Sequence, residues 1–267
     1  MMKAGTATFK AFTVLAGMAA IGSAASGQVV IQDTEFNASN WVIEQFRSGG
    51  GGSVSAIVSP TGNPGNARRV TTSVNAQSGS TVSGFHRFGT TAATRYEPGV
   101  QGAIGSISMS LDVRFIDGIG IGEGVTLAIK QGQVIYRTGM RYTGNSGAWV
   151  RLEVDSIRGD EFSRIDGEPG LPEFSAQGQP IRFGFFTSSA TPGGAFASIT
   201  DVDNFRIEIV PACKADFNED GGVDGSDVGA FFVAWESGDA DADVNADGGV
   251  DGADAEAFFA LWEAGGC

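Results

Sequence analysis

A tandem repeat within residues 216–254 restricts the fold of this chain more than any other feature of its sequence. Residues 216–227 read Asp-Phe-Asn-Glu-Asp-Gly-Gly-Val-Asp-Gly-Ser-Asp, and residues 243–254 read Asp-Val-Asn-Ala-Asp-Gly-Gly-Val-Asp-Gly-Ala-Asp. Both copies carry Asp, Asn and Asp at positions 1, 3 and 5, and Asp again at positions 9 and 12. A repeat of this kind predicts two copies of one small structural unit.

The spacing of the oxygen-bearing residues matches that of EF-hand calcium loops. Calcium takes about six to eight hard oxygen ligands, so the chain has to wrap around the ion, and Gly221 and Gly248 at position 6 permit the bend. The sequence therefore predicts two bound calcium ions. The predicted ligands are Asp216, Asn218, Asp220, Gly222, Asp224 and Asp227 in the first loop and Asp243, Asn245, Asp247, Gly249, Asp251 and Asp254 in the second.

Each loop is followed by apolar residues at helical spacing, which predicts one helix face per repeat. Gly238 and Gly265 come just after these segments, where helices commonly end in a left-handed residue. No comparable pattern precedes either loop, so the predicted unit is a loop followed by a helix. The apolar positions are Val228, Phe231, Phe232 and Trp235 in the first helix and Ala255, Phe258, Phe259 and Trp262 in the second.

This repeated loop-helix unit resembles a type I dockerin, and Gly266-Cys267 is similar to the ending of the GC-type dockerins of bacterial secreted and surface proteins. The resemblance covers about one fifth of the chain. It implies a calcium-dependent module whose partner is a cohesin-like domain or another cell-surface or extracellular anchor. Position 12 is Asp, as in dockerins, where calmodulin-like loops have Glu.

Charge is distributed unevenly along the chain. Residues 212–267 hold 14 acidic groups and one lysine, which accounts for −13 of the net charge of −14. Such a segment repels nucleic acid and anionic membranes and attracts divalent cations. An acidic disordered tail is the alternative, but disorder does not explain two aligned ligand sets.

The first 27 residues have the order of a signal peptide. Lys3 and Lys10 precede an apolar run, and small residues follow at positions 23–27. The apolar run is shorter than the roughly 20 residues that span a bilayer, so we expect cleavage and a secreted or cell-surface protein. Export favours a disulfide between Cys213 and Cys267, which would remove roughly 4 kcal/mol of unfolded-state entropy.

Residues 28–210 alternate apolar and polar side chains in several segments, as half-buried strands do. Turn-rich stretches separate these segments, and 41 glycines in the chain suit short strands and tight turns. We predict an antiparallel, jelly-roll-like β-sandwich in residues 28–210 and a calcium-binding unit in residues 211–267. The clearest strand segments are 107–115, 125–129, 150–154, 181–185 and 205–209.

Residues 36–41 and 201–207 resemble the first and last strands of carbohydrate-binding modules and concanavalin-like jelly rolls. That resemblance implies a third, structural calcium at Asp203 with Asp33 or Glu35. It also implies a sugar-stacking aromatic, for which Trp149 is the candidate because it is out of phase with the apolar face of its strand. Packing of Trp149 under a loop is the competing interpretation.

Catalysis has one candidate in the sequence, the carboxylate pair Glu153 and Asp155. Laminarinase-like hydrolases carry Glu-x-Asp-x-x-Glu, but Arg158 occupies the last of these positions here. Solvated acids on a strand face are the favoured explanation of the pair. The expected function is therefore an exported, non-catalytic, carbohydrate-binding sandwich with a dockerin-like tail. A polysaccharide-active glycoside hydrolase and a structural surface protein are the alternatives.

Overall fold

The computed structural model describes residues 21–23, 28–89, 94–118, 121–139, 147–191, 193–218, 222–245 and 247–264. The chain divides into two compact units, Met1–Ile209 and Val210–Cys267, beside the predicted domain boundary at residue 210. Most of the predicted signal peptide lies outside the described residues. Within it, Ile21–Ser23 forms a short strand that pairs with residues 29–31.

The first unit is built from antiparallel strands. In the described residues they are β1 (Ile21–Ser23), β2 (Val29–Asp33), β3 (Trp41–Ser48), β4 (Gly52–Gly62), β5 (Gly65–Val74), β6 (Ser80–Phe88), β7 (Ile104–Asp117), β8 (Ile121–Gln131), β9 (Val134–Arg137), β10 (Val150–Ile157), β11 (Ser163–Arg164), β12 (Ile181–Thr191) and β13 (Phe196–Pro211). A short helix, α1 (Pro98–Gln101), precedes β7.

These strands form two sheets. The first has seven strands, with β13 at its centre. β2 pairs with the second half of β13, and β5 pairs with the first half. β7 also pairs with β13, and β10 pairs with β7. The second sheet has six strands in the order β11-β9-β8-β12-β6-β3. Buried side chains from both sheets form one apolar core, so the predicted sandwich is confirmed.

Every strand segment predicted from alternation lies within an observed strand. In β7, Ile107, Met109, Leu111, Val113 and Phe115 are all buried. The period-two pattern could predict this strand because successive side chains point to opposite faces of a sheet. One strong alternation is therefore enough to show which face of β7 lies on the core.

The predicted first strand, residues 36–41, is wrong. The Asp33 carboxylate accepts the backbone N–H groups of Glu35 and Phe36, at 3.0 and 2.8 Å, and this turn ends β2. Phe36 has a φ of +48°, and a single 3-10 turn over Ala38–Asn40 follows before β3 begins at Trp41. Phe36 and Trp41 are both buried, but they are not neighbours on one strand.

The second unit contains two helices, α2 (Gly225–Ser237) and α3 (Gly252–Glu263), which confirms both predicted helices. Phe231 and Phe258 are fully buried and stack at 4.3 Å between ring centroids. Gly238 ends α2 in the left-handed conformation, as predicted, while Gly265 lies outside the described residues. Among the described helices, none has the length and apolar content needed to cross a bilayer.

A buried His86 lies inside the sandwich. Its Nδ1 accepts a hydrogen bond from Arg68 Nε at 3.3 Å, its Nε2 lies 3.2 Å from Thr187 Oγ1, and its ring stacks on Phe185. Burial lowers the pKa of His86 well below 6.5, and the positive charge of Arg68 lowers it further. The imidazole is therefore neutral in the folded protein, with Nδ1 as the acceptor.

The lowered pKa of His86 predicts acid sensitivity. Because the unfolded chain binds this proton near pH 6.5 and the folded chain does not, the stabilisation is complete above pH 6.5 and declines as the pH falls. Between about pH 7.5 and 5.5 the loss is about 1.4 kcal/mol. Urea denaturation at several pH values measures this loss in the wild type and in His86→Gln, a variant that keeps an acceptor for Arg68. An equal pH dependence in the two proteins would contradict this assignment.

Candidate functional sites

Both repeats in the second unit close in the same way around their last loop residue. Asp227 and Asp254 occupy position 12, and both are fully buried. Each carboxylate accepts the backbone N–H groups of loop positions 3 and 9. The donor-acceptor distances are 3.1 and 2.8 Å in the first loop and 3.1 and 2.9 Å in the second. The two repeats therefore have the same hydrogen bonds between positions 3, 9 and 12.

The hydrogen bonds keep these position-12 carboxylates ionised. For Asp227, burial opposes ionisation, but several backbone N–H donors outweigh it and lower the pKa. For Asp254, the backbone N–H groups of Asp251 and Asn245 are the main causes of a lowered pKa. An ionised carboxylate is the form that binds a hard cation, so both residues are in the required state before any metal arrives.

In the second loop, side chains at positions 1, 3 and 5 accept hydrogen bonds from backbone N–H groups of the same loop. Asp243 accepts the backbone N–H groups of Asp247 and Gly248 at 3.1 and 3.0 Å, and Asn245 Oδ1 accepts from Asp247 N at 2.8 Å. Asp247 in turn accepts from Gly249 N at 3.0 Å. Side-chain oxygens at positions 1, 3 and 5 thus bend back onto their own loop. Asp220 and Gly221 of the first loop lie outside the described residues.

The ninth loop residue performs a second role in both repeats. Asp224 caps α2 and Asp251 caps α3, each by accepting the backbone N–H two residues later. Their carbonyls accept across the repeat: Trp235 Nε1 donates to Asp251 O at 2.7 Å, and Trp262 Nε1 donates to Asp224 O at 2.9 Å. Each helix is therefore tied to the opposite loop. Sequence analysis assigned both tryptophans to the apolar helix face and missed these bonds.

The donor set of the two loops suits calcium, because it consists of carboxylate, amide and backbone oxygens. Within the described part of the chain, no three His, Cys, Asp or Glu side chains form a group that could hold a metal ion. Calcium binding by the twelve predicted ligands therefore stays a prediction. The disulfide also stays a prediction: no free cysteine occurs among the described residues, but Cys267 lies outside them.

Asp203 lies in the sandwich where a third calcium was predicted, and Asp112 and Glu35 are close enough to act on it electrostatically. Asp203 is fully buried, and it accepts the backbone N–H of Asn63. Burial raises the pKa of Asp203 to about 6, and the nearby Asp112 and Glu35 carboxylates act in the same direction. Asp33 is instead occupied in its own turn, where it also accepts from an indole. The third ion stays a prediction, with Glu35 rather than Asp33 beside Asp203.

The candidate catalytic pair lies on an open face of the seven-stranded sheet. Glu153 and Asp155 are exposed on β10 and line a depression of about 70 Å³ together with Arg151 and Arg206. Arg151 Nε lies 3.5 Å from a Glu153 oxygen. The depression is too small for a sugar ring.

The candidate sugar-stacking residue is partly covered. Trp149 is half-buried immediately before β10, and the guanidinium of Arg114 lies 4.5 Å from the centre of its ring. Arg114 is itself fixed by Asp201, at 2.8 Å. One face of the indole is therefore occupied by a cation, which leaves less of the ring for stacking on a sugar.

A groove that sequence analysis missed lies on the outer face of the six-stranded sheet. Its volume is about 770 Å³. Phe46 and Phe186 lie there with their ring centroids 6.1 Å apart, and Phe46 remains 38% exposed. The remaining lining residues are Arg47, Ser48, Thr81, Ser83, Gln133, Val134, Ile135, Arg137, Arg164, Ile165, Asp166 and Ser188.

No family model matches this chain, and no curated protein sequence matches it. The chain is similar to the family 11 carbohydrate-binding module of the cellulosomal cellulase Lic26A-Cel5E of Clostridium thermocellum, with 13% identity and a TM-score of 0.39 over 68% of this chain and 95% of that chain.

It is also similar to the C-terminal family 22 carbohydrate-binding module of Clostridium thermocellum Xyn10B, with 12% identity and a TM-score of 0.41 over 68% of this chain and 93% of that one. A third likeness is to the CBM22-1 xylan-binding domain of Paenibacillus barcinonensis Xyn10C, with 14% identity and a TM-score of 0.33 over 65% and 87% of the two chains. Similarities this distant assign no ligand to this chain.

Proposed function

We propose that this chain is an exported, non-catalytic glycan-binding protein, in which a jelly-roll-like sandwich binds polysaccharide and a dockerin-like, calcium-dependent unit docks it outside the cytoplasm. The groove on the six-stranded sheet is the observation that carries the binding function. The repeated closure of the two loops supports the docking function. The signal peptide and the Cys213–Cys267 bridge belong to the same proposal, since both suit an exported protein.

The groove has the chemistry that sugar recognition requires. Its volume of about 770 Å³ is within the usual range for ligand sites. Phe46 presents a ring that can stack on the apolar face of a sugar, while Gln133, Ser83 and Ser188 offer hydrogen-bonding groups around it. An apolar centre with a polar rim favours a glycan over a purely apolar ligand.

Affinity electrophoresis against immobilised polysaccharides tests this function. Phe46→Ala is expected to weaken binding about tenfold, because it removes the exposed ring of the groove. Trp149→Ala is the matched control, since it removes an aromatic side chain next to β10 of the other sheet and should leave binding unchanged. The reverse pattern, with Trp149→Ala weakened and Phe46→Ala unaffected, would move the site to Trp149 and contradict the groove.

The same preparations test the alternative functions. Release of reducing ends from a polysaccharide, abolished in Glu153→Gln, would replace glycan binding by glycoside hydrolysis. If neither binding nor hydrolysis is observed, a structural role at the cell surface remains as the function of the sandwich. Each outcome is visible without knowing the natural sugar, provided that neutral and acidic polysaccharides are both included.

The docking function has an apolar surface on the second unit. Phe232 and Leu261 are each 37% exposed, and Val233 is 72% exposed. The resemblance to dockerins implies that helix positions including Phe232 and Val233 select the partner. Cellulosomal dockerins carry polar or charged residues there, so the apolar residues of this chain fit a partner with an apolar contact surface, cohesin-like or otherwise. Docking that persists after calcium chelation would contradict the calcium-dependent role.

A further inference from the structure

The basic side chains of the sandwich are concentrated on one face. A second groove of about 330 Å³ lies on the outer face of the six-stranded sheet and shares Gln133 with the groove described above. Residues 28–210 hold 14 basic and 17 acidic groups, and half of the basic ones line these two grooves. The seven are Arg47, Arg137 and Arg164 in the first groove and Arg87, Arg95, Lys130 and Arg182 in the second.

Sheet register explains why these residues share a face. Arg182 on β12 pairs with Lys130 on β8, and Arg137 on β9 pairs with Ala128 two residues earlier on β8. Positions two apart on a strand point to the same side, so Lys130 and Ala128 project together. Phe186, four residues after Arg182, also lies on this side. The apolar centre and the basic groups therefore belong to one continuous surface.

Carboxylates neutralise only part of this surface. Among the described residues, three acids pair with four of these basic groups, and one of the acids, Glu44, is shared by two of them. The pairs are Lys130–Glu44 at 2.6 Å, Arg87–Glu44 at 3.4 Å, Arg164–Asp166 at 2.6 Å and Arg95–Glu97 at 2.6 Å.

Three arginines of the grooves show that positive charge is in excess on this surface. Arg137 and Arg47 have no ion-pair partner in the part of the chain that the structure describes. Burial lowers the pKa of Arg182, and the positive charges of Arg87 and Arg95 lower it further. Like charges held this close together are unfavourable without a counterion, so the surface favours an anionic ligand.

We infer that these grooves bind an acidic polysaccharide, a sugar chain that carries carboxylate or sulfate groups. The inference rests on the proposed glycan-binding function and adds the chemical class of the glycan. Phe46 and Phe186 supply the apolar contact for the sugar ring, and the arginines supply paired N–H donors that match a carboxylate or sulfate. Arg137 lines the same groove as the two phenylalanine rings and is the arginine we assign to this role.

Nucleic acid fits these observations less well, although it is also a polyanion. The chain carries −14 overall, with −13 on residues 212–267, and that charge repels a long phosphate backbone. A glycan with spaced acidic groups needs only local pairing inside the grooves. Single-stranded DNA is therefore a control ligand rather than the expected one.

Two matched polymer pairs test the inference on the full chain. Polygalacturonate is compared with its carboxyl-reduced form, and dextran sulfate with dextran, by affinity electrophoresis and calorimetry. At least one acidic polymer is expected to bind about tenfold or more tightly than its neutral partner, with an affinity that falls as salt rises. The carboxylate and sulfate pairs together show which anionic group is recognised.

Charge-removing variants locate the site. Arg137→Gln and Arg182→Gln are each expected to weaken binding of the acidic polymer about tenfold, because a charged hydrogen bond is lost. Arg206→Gln is the control: it removes one charge from β13 in the other sheet and should have no effect. Thermal denaturation of each variant checks that the sandwich remains folded.

The possible results separate the two proposals. Equal or tighter binding of the neutral polymers overturns the acidic class and leaves glycan binding intact. No binding of any polymer overturns both. Single-stranded DNA bound as tightly as the best acidic glycan, or Arg206→Gln weakened as much as Arg137→Gln, overturns the inference by showing an unspecific charge effect.

Discussion

Chelation of calcium is expected to abolish the helical circular dichroism of α2 and α3 while leaving the β-sheet signal of the sandwich in place. These helices span 13 and 12 residues, and the apolar core between them has four buried side chains among the described residues. So small a core rarely supplies enough stability by itself. In addition, the 14 acidic groups of residues 212–267 repel one another and destabilise the folded unit.

The magnitude follows from mass action. An ion present at about a thousand times its Kd stabilises the folded state by about 4 kcal/mol, so two ions contribute about 8 kcal/mol. A loss of about 8 kcal/mol exceeds the free energy of unfolding expected for a module of this size. Re-addition of calcium is expected to restore the helical signal fully.

Matched variants make this prediction specific to the loops. Asp254→Asn removes one charge at position 12 and should weaken calcium-induced folding of the unit. Glu256→Gln removes one charge from the exposed side of α3 and should leave it intact. A helical signal that is unchanged in excess chelator would show that the helices need no metal.

Trp41→Ala is expected to destabilise the sandwich by about 3 to 5 kcal/mol. Trp41 is 6% exposed, and its ring lies at the centre of an aromatic cluster. The centroid distances are 4.9 Å to Phe36, 5.2 Å to Phe88, 5.6 Å to Phe185 and 5.1 Å to Phe205. No neighbouring side chain can fill a cavity of this size, because the surrounding rings are fixed by both sheets.

The indole also has a polar role that a second variant isolates. Trp41 Nε1 donates to Asp33 Oδ2 at 2.9 Å. Trp41→Phe keeps much of the packing but leaves that carboxylate oxygen without its donor, at an expected cost of about 1 to 3 kcal/mol. Ile57→Ala is the control, since Ile57 is 63% exposed. If urea denaturation shows that Trp41→Ala lowers the free energy of unfolding no more than Ile57→Ala does, this view of the core is contradicted.

Much of the fold could be predicted because its patterns are local. Alternation along β7 shows which residues face the core without knowledge of any partner strand. The loops and helices of the second unit follow from residues within one repeat, and the left-handed Gly238 follows from its place after the last apolar position. In each case the informative residues are close together in sequence.

The groove and the tryptophan hydrogen bonds were missed because they join residues distant in sequence, whereas the first strand was missed for a local reason. The groove joins Phe46 on β3 to Phe186 on β12, and only the sheet order brings them together. The tryptophan bonds join Trp235 to Asp251 across two repeats. The predicted first strand failed because a single side chain, Asp33, redirects the backbone by binding it. Sequence patterns carry no information about register between separated strands.

Calorimetric titration of the full chain with calcium, beside an Asp227→Ala/Asp254→Ala double variant, tests the central claim most directly. The account predicts that the wild type binds two more ions per chain than the double variant. Any ion held at Asp203 in the sandwich should remain in both proteins and cancel in the comparison. Equal stoichiometry in the two proteins would show that the repeated loops do not bind calcium, and would contradict the account.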